Sequence, residues 1–123
     1  MVKRSLQTPI MHRFVEHNGI IAFGGLIADD LTQTMGGQTA QICQKLDKLL
    51  AEAGTDKSKL ISAMLYVTDM GQKAEMNQAW TSWIEAADLP TRATIGVADL
   101  GKNVLIEVVA VSYTHLTLPT ICS

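Results

Sequence analysis

The stretch LPTRATIGVADLGKNVLIEVVAV, residues 89–111, decides the fold that this sequence predicts. It contains two strand-like runs, over residues 92–98 and 103–111, which a turn-like segment over residues 99–102 separates. We therefore predict that the two runs form a β-hairpin. Within the second run, VLIEVVAV (residues 104–111) is apolar on both sides apart from Glu107, so both faces of that strand are expected to be covered.

The remaining elements follow from turn residues and from hydrophobic spacing. Asn18-Gly19 is the strongest two-residue hairpin signal, and it joins predicted strands over residues 13–17 and 20–27. Gly24-Gly25 lies inside the second of these strands, where it predicts a bulge or the close approach of a ligand or another backbone. The spacing of apolar residues predicts a helix over residues 38–53, a strand over 59–69 and a helix over 73–87.

The element order β-β-α-β-α-β-β predicts an α+β fold in which two helices cover one face of a mixed sheet. The chain has 123 residues, enough for one domain, and it is 47% hydrophobic but only 18% charged. Because two helices cover only one sheet face, this surplus of apolar surface needs another cover, and a second copy of the chain is the simplest candidate. Residues 1–111 are expected to form the single domain, and the Thr-rich residues 112–123 a non-native or disordered tail.

Charge and composition argue against several classes of protein. Ten Lys and Arg residues against twelve Asp and Glu residues give a formal net charge of −2, so no nucleic-acid partner is expected. No apolar run approaches the roughly 20 residues of a membrane-spanning helix, so no membrane partner is expected either. Two cysteines and three scattered histidines match neither a disulfide framework nor a metal-ligand pattern, which predicts no metal site and a reducing, cytoplasmic setting.

Two charged residues stand in otherwise apolar strands. Arg92 opens the first run of the predicted hairpin, and Glu107 interrupts the second. If Ala98 pairs with Asn103, then Arg92, Thr94 and Glu107 point to the same side of the sheet. Arg92 and Glu107 would then be diagonal neighbours, roughly 7–8 Å apart at the backbone. A one-residue change of register would put them on opposite sides.

This pair of charges has two interpretations. Arg92 and Glu107 could form a structural ion pair that orients an interface. Alternatively they form a small-anion site, in which the Arg fork holds a carboxylate at two points and the Glu positions or deprotonates a water molecule. Backbone N–H groups at Gly24-Gly25 would then reach the ligand. Asn77, on the second predicted helix, is expected to face solvent or to cap a backbone group.

The sequence resembles the Rid (reactive intermediate deaminase) family, also called YjgF/YER057c/UK114 and historically labelled endoribonuclease L-PSP. The resemblance runs over about residues 11–111. Its most specific part is the Pro-x-Arg element that ends at Arg92, followed fifteen residues later by Glu107 in the last strand. The supporting segments are Gln38-Thr39 leading into LDKLLAEAGTDKSKL, then SAMLYVTDM followed by AEMNQAW, then LPTRATIGVADLG and VLIEVVAV.

The resemblance implies a chorismate-mutase-like fold and a homotrimer whose sheets pack into a central barrel, with sites in the clefts between subunits. It implies hydrolysis of reactive enamines and imines, such as 2-aminoacrylate, to 2-keto acids and ammonia, without a metal or organic cofactor. At the matching positions, Arg92 binds the substrate carboxylate and Glu107 places or activates the attacking water. Thr94 lends a backbone N–H to the ligand, and Gly25 corresponds to the glycine of the family's Ser-Gly-Gln-like strand.

The sequence departs from the family pattern at positions that line the pocket. The N-terminal Gly-Pro-Tyr-Ser-type motif is absent, and Met11-His12-Arg13 stands near its place. Gly24-Gly25-Leu26 replaces Ser-Gly-Gln, and Thr94 replaces a frequent Cys. These differences indicate a subgroup other than the main deaminase branch, and they leave the substrate open.

Two other functions stand beside the deaminase. A non-enzymatic member of the same family would bind a small carboxylate metabolite in the cleft without turning it over. A ribonuclease, which the older family label suggests, is disfavoured because the sequence has no basic patch and no His pair for acid–base cleavage.

Overall fold

Six strands form one mixed sheet, and two helices pack on one of its faces. A computed structural model describes residues 1–115. The strands are β1 (Lys3–Gln7), β2 (His12–His17), β3 (Ile20–Phe23), β4 (Leu60–Val67), β5 (Thr91–Gly96) and β6 (Ile106–Tyr113). The helices are α1 (Met35–Glu52) and α2 (Lys73–Trp83), and short 3-10 turns lie at Lys57–Lys59, Met70–Gln72 and Ala86–Asp88. The sheet order is β1-β2-β3-β6-β4-β5. This arrangement confirms the α+β, chorismate-mutase-like fold.

The turn signals of the sequence place several element ends correctly. Asn18 and Gly19 have positive φ angles of 52° and 82°, as a tight two-residue hairpin turn requires, and they join β2 to β3. Gly54, just beyond α1, has a φ of 80°. Helix α1 begins at Met35 rather than at the predicted residue 38, because the Thr34 hydroxyl accepts a hydrogen bond from the Gly37 N–H and caps the helix there.

Strands β5 and β6 do not pair with each other, so the predicted hairpin is wrong. Strand β4 lies between them, with β5 parallel to it and β6 antiparallel to it. The connection from β4 through α2 to β5 is a βαβ crossover, which makes neighbouring strands parallel. Strand β6, apolar on both sides, then takes an interior position between β3 and β4.

The ends of the chain differ from the sequence-based expectation. Strand β1 pairs antiparallel with β2 and was not predicted, because its residues KRSLQ carry no alternating apolar pattern. Strand β6 continues to Tyr113, two residues past the predicted domain end at residue 111. Ser112 is buried, and its hydroxyl donates a hydrogen bond of 2.8 Å to the Lys59 carbonyl. The rest of the expected tail, residues 116–123, lies outside the described residues.

The two faces of the sheet are covered differently. The face toward α1 and α2 holds the core, with large fully buried side chains that include Ile21, Leu46, Leu65, Trp80, Ile106 and Val108. Register places Met64 beside Val109 and Ala22 beside Val111 on the opposite face, which no helix of residues 1–115 covers. We call this second surface the open face. No helix in residues 1–115 is long and apolar enough to span a membrane.

Candidate functional site

Arg92 lies on the helix side of the sheet, at its β5 edge. It pairs with Ala63 of β4, whose side chain is buried in the core, and paired residues share a face. The guanidinium carbon of Arg92 lies 6.0 Å from the ring centroid of Trp80, which is only 2% exposed. Burial lowers the pKa of Arg92, although an arginine still carries its charge at neutral pH. The side chain is therefore a partly desolvated cation held against an aromatic ring.

A cavity of about 340 Å³ opens beside this guanidinium. Its lining residues are Asn77, Trp80, Thr81, Leu89, Pro90 and Arg92. Arg92 forms no ion pair with any carboxylate of residues 1–115. A guanidinium without a counterion at the wall of a cavity is suited to bind an anion from solution.

Asn77 also faces this cavity, contrary to the expectation that it faces solvent or caps a backbone group. Its side-chain carbonyl oxygen is buried and has no hydrogen-bond partner within residues 1–115. An unpaired buried acceptor costs roughly 1–3 kcal/mol. One sequence signal points here: Asn77 stands three residues before Trp80, a spacing that places both on one face of α2.

Glu107 lies on the open face, beside a bulge in the neighbouring strand. Ala22 pairs with Val111 and Leu26 pairs with Val108, so the β3 side has one residue more than β6 between these pairs. The extra length falls at Gly24-Gly25, as predicted. A Cβ on Gly25 would overlap the Glu107 carboxylate, so this glycine makes room for it.

The prediction that Arg92, Thr94 and Glu107 share one side of the sheet is wrong. Thr94 pairs with Leu65, which is fully buried, so Thr94 lies on the helix side with Arg92. Glu107 pairs with Tyr66 and lies on the open face. The physical reason is that β4 lies between β5 and β6. The pairing of each strand with β4 determines which of its residues point to the helix side and which to the open face. One protomer therefore does not bring Arg92 and Glu107 together.

Met11 and Arg13, which the sequence comparison with the Rid pattern places near its missing N-terminal motif, lie beside the bulge. The sulfur of Met11 would lie 3.0 Å from a Cβ on Gly24, so this thioether packs against the glycine pair. Arg13 lies on β2, and its carbonyl accepts a hydrogen bond of 2.9 Å from the Gly24 N–H. The segment that differs from the family pattern is thus in contact with the bulge that carries Gly25.

Residues 1–115 contain neither a reactive cysteine nor a metal-binding cluster. Cys43 is buried in the core, and burial raises the pKa of its thiol to about 12. A thiol of that pKa is almost wholly protonated at neutral pH and is unreactive. No group of three or more His, Cys, Asp or Glu side chains in residues 1–115 is placed to hold a metal ion.

Comparison with known sequences identifies relatives over nearly the whole domain. A family model described as Endoribonuclease L-PSP matches residues 7–114. A RutC family protein of Haemophilus ducreyi is 35% identical over 103 residues, which cover 81% of this chain and 88% of that protein.

Comparison with solved structures agrees with the sequence matches. A member of the YjgF protein family from Neisseria meningitidis superimposes with a TM-score of 0.89 at 29% identity, covering 95% of this chain and 98% of that one. A protein of the conserved Rid family from Yersinia pestis has a TM-score of 0.84 at 22% identity, covering 92% and 99% of the two chains. At that lower identity the second likeness shows the fold alone.

Proposed function

The chain belongs to the Endoribonuclease L-PSP family of YjgF and Rid proteins, and from this membership and the Arg92 cavity we propose that it hydrolyses reactive enamines and imines. The substrates are small 2-aminoacrylate-like molecules that carry a carboxylate, and the products are 2-keto acids and ammonia. The observation that carries the proposal is the Arg92 guanidinium, which lines a cavity and has no ion-pair partner within residues 1–115. A cytoplasmic setting is part of the proposal.

Arg92 holds the substrate carboxylate in this proposal. Its planar guanidinium offers parallel N–H donors to the two carboxylate oxygens. The guanidinium lies over the Trp80 ring, at 6.0 Å from its centroid, where the ring attracts the cation. Because the group is partly desolvated, its attraction for an anion exceeds that of a fully exposed arginine.

Asn77 provides the second contact, to the substrate nitrogen. An imine or enamine carries N–H donors one bond away from the carbon that bears the carboxylate. Asn77 lines the cavity, and rotation of its amide would bring the unpaired carbonyl oxygen to such a donor. The keto acid product has an oxygen acceptor at that place, so the bond is lost after hydrolysis and the product binds less tightly than the substrate.

Glu107 reaches this substrate from a neighbouring subunit. Strand β5 is a sheet edge, so Arg92 lies where another copy of the chain can approach. Glu107 lies on the apolar open face, which a second copy would bury. We therefore propose a homotrimer with a central barrel, in which each cleft combines Arg92 and the Thr94 backbone N–H of one protomer with Glu107 and Gly25 of the next.

The reaction needs one water molecule and no redox step. Protonation at carbon by solvent first converts the enamine into its iminium ion. Glu107 accepts a proton from water as the water oxygen bonds to the C=N carbon, which gives a neutral carbinolamine. Glu107 then returns this proton to the nitrogen, the C–N bond breaks and ammonia leaves, and the hydroxyl proton passes to solvent, which leaves the ketone. Such imines hydrolyse slowly without help, so positioning and one base are sufficient.

One observation favours a second candidate function, a binding protein for small carboxylates. Residues of one protomer line the Arg92 cavity, whereas Glu107 lies on the other face of the sheet. A protein that only binds a keto acid needs the Arg92 cavity but does not need Glu107. The ribonuclease named in the family's description stays disfavoured, since the net charge of −2 offers no attraction for RNA.

The test measures imine hydrolysis by the purified protein. An amino-acid oxidase generates the imine in situ, and the decay of the imine is followed against the spontaneous rate. We expect acceleration by the wild type and none by Arg92→Ala. Lys102→Ala removes one exposed positive charge in the loop after β5, outside the cavity, and should keep full activity. Full activity of Arg92→Ala would show that the site is assigned wrongly. Saturable pyruvate binding that depends on Arg92, without any acceleration, would establish the binding protein instead.

A further inference from the structure

A second cavity, of about 300 Å³, lies between β2, the segment after β3 and helix α1. Its lining residues are Arg13, Leu26, Asp29, Lys45, Lys48 and Leu49, and it shares none of them with the Arg92 cavity. Three of the ten Lys and Arg residues of a net-negative chain thus line one cavity. The proposed deaminase reaction uses none of these side chains.

Two of the three cations have no counterion. The Lys45 ammonium donates a hydrogen bond of 2.8 Å to the Ile27 carbonyl and forms an ion pair of 3.0 Å with Asp29. Its charge is therefore compensated and its position fixed. Within residues 1–115, the side chains of Arg13 and Lys48 form neither an ion pair nor a hydrogen bond. The cavity therefore carries two uncompensated positive charges.

The floor of the same cavity is apolar. Leu26 is 3% exposed and Leu49 is 8% exposed, and both belong to the core cluster. Apolar surface beneath a pair of cations fits a ligand with an apolar body and a doubly charged head. A phosphate monoester carries about −1.5 to −2 charges at pH 7, and arginine binds its oxygens at two points.

We propose that this cavity is a binding site for a small phosphate monoester. The phosphate lies between Arg13 and Lys48, and the apolar body of the ligand lies on Leu26 and Leu49. The paired Lys45 and Asp29 border the site and hold the segment after β3 against α1. The site is separate from the Arg92 cavity, so it can be occupied whether or not the protein turns over an imine.

Calorimetric titration of the intact protein with phenyl phosphate tests the proposal. We expect binding with a dissociation constant below about 1 mM at low salt. Inorganic phosphate, which lacks the apolar ring, and phenol, which lacks the phosphate group, should each bind at least roughly tenfold more weakly. No detectable phenyl phosphate binding would overturn the proposal, and so would equal binding of inorganic phosphate, since the apolar floor would then have no role.

Variants locate the site. Arg13→Gln and Lys48→Gln should each weaken phenyl phosphate binding roughly tenfold, because each removes a charge-assisted contact. Arg13→Lys, which keeps the charge, should retain most of the affinity and guards against a folding defect in Arg13→Gln. Lys102→Gln and Arg92→Gln should bind like the wild type. Equal weakening in Lys102→Gln would indicate an unspecific field, and loss of binding in Arg92→Gln would place the ligand in the other cavity, so either result contradicts the proposal.

Discussion

Gly25 lies directly against the carboxylate of Glu107. The carboxylate occupies the space that a side chain at position 25 would fill. The bulge between Ala22 and Leu26 brings the glycine there, across from β6. The glycine therefore determines where the carboxylate lies on the open face. The position of Glu107, the base of the proposed reaction, thus depends both on the local Gly24-Gly25 sequence and on the pairing of this segment with β6.

Gly25→Ala should reduce imine hydrolysis by about ten- to 100-fold, because the new methyl group displaces the Glu107 carboxylate and misplaced catalytic groups lose rates of this order. Steady-state kinetics of the purified variant measure the effect. Gly24→Ala is the matched control, since its methyl group comes close only to the flexible end of Met11, at 3.0 Å, and makes an ordinary contact of 3.7 Å with the Arg13 carbonyl. Equal losses in the two variants would mean that the bulge is merely disturbed as a whole.

Asn77→Leu should separate stability from function. Replacing the unpaired amide by an apolar group removes a buried acceptor, so the free energy of unfolding should stay equal or rise by up to about 1 kcal/mol. Imine hydrolysis should fall several-fold through a higher KM, because the substrate N–H loses its partner. Urea unfolding and kinetics measure the two effects, and the exposed neighbour Gln78 provides the control Gln78→Leu. A destabilised Asn77→Leu with unchanged KM would contradict this role.

Gln38 fixes the loop that leads into β6. Its amide nitrogen donates hydrogen bonds to the carbonyls of Gln33 and Asn103, at 3.1 and 3.0 Å, and its oxygen accepts one of 3.0 Å from the Leu105 N–H. The side chain is fully buried. Gln38→Met keeps the volume but leaves these groups unpaired, so we expect a loss of roughly 2–4 kcal/mol in urea unfolding.

The control for Gln38→Met is Gln41→Met, on the same helix. Its side-chain oxygen accepts a single exposed hydrogen bond of 2.9 Å, from the Asp30 N–H. The expected loss is below about 1 kcal/mol, because water can replace that partner. A loss at Gln41 as large as at Gln38 would show that burial of the Gln38 network is not the cause.

Glu75 links the two helices in a way that depends on pH. Its carboxylate accepts a hydrogen bond of 2.7 Å from the Gly36 N–H at the start of α1. That bond, aided by the Thr34 hydroxyl, lowers the pKa of Glu75 below its ordinary value of 4.5. Because the folded-state pKa is depressed, the stabilisation is complete above pH 4.5 and is lost as the pH falls through the lower, folded-state value.

In Glu75→Gln, the free energy of unfolding should therefore fall less steeply than in the wild type as the pH is lowered into the acid range. Urea unfolding midpoints of wild type and variant should differ at neutral pH and converge as the pH falls below 4.5. Glu85→Gln, which removes the same charge just beyond α2, should leave the wild-type profile unchanged. A constant difference between wild type and Glu75→Gln at every pH would assign the effect to packing rather than to ionisation.

Local features of the fold were predictable from the sequence, and pairings between distant segments were not. The Asn18-Gly19 turn and the apolar spacing of α1 act over a few residues, so the pattern indicates them directly. The partner of β5 depends on the crossover through α2, which no local pattern shows. Strand β1 lacks an apolar face and gave no signal.

The candidate site shows the same division. The sequence singled out Arg92 and Glu107 because each charge interrupts an apolar strand, and the structure places each beside a distinctive feature, a cavity or a bulge. Their relation was predicted wrongly, since side-chain parity depends on the strand inserted between them. The role of Asn77 needed the structure, because only packing shows that its carbonyl oxygen is buried without a partner.

Mixed oligomers of two inactive variants test the central claim, that Arg92 and Glu107 of different protomers form one site. Arg92→Ala and Glu107→Gln chains are co-expressed with different tags, and oligomers carrying both tags are purified and assayed for imine hydrolysis. If each site takes Arg92 from one protomer and Glu107 from the next, every mixed trimer has one site with both residues intact, so about a third of the wild-type sites should be restored, while neither variant alone is active. Mixed oligomers as inactive as the single variants would contradict the account.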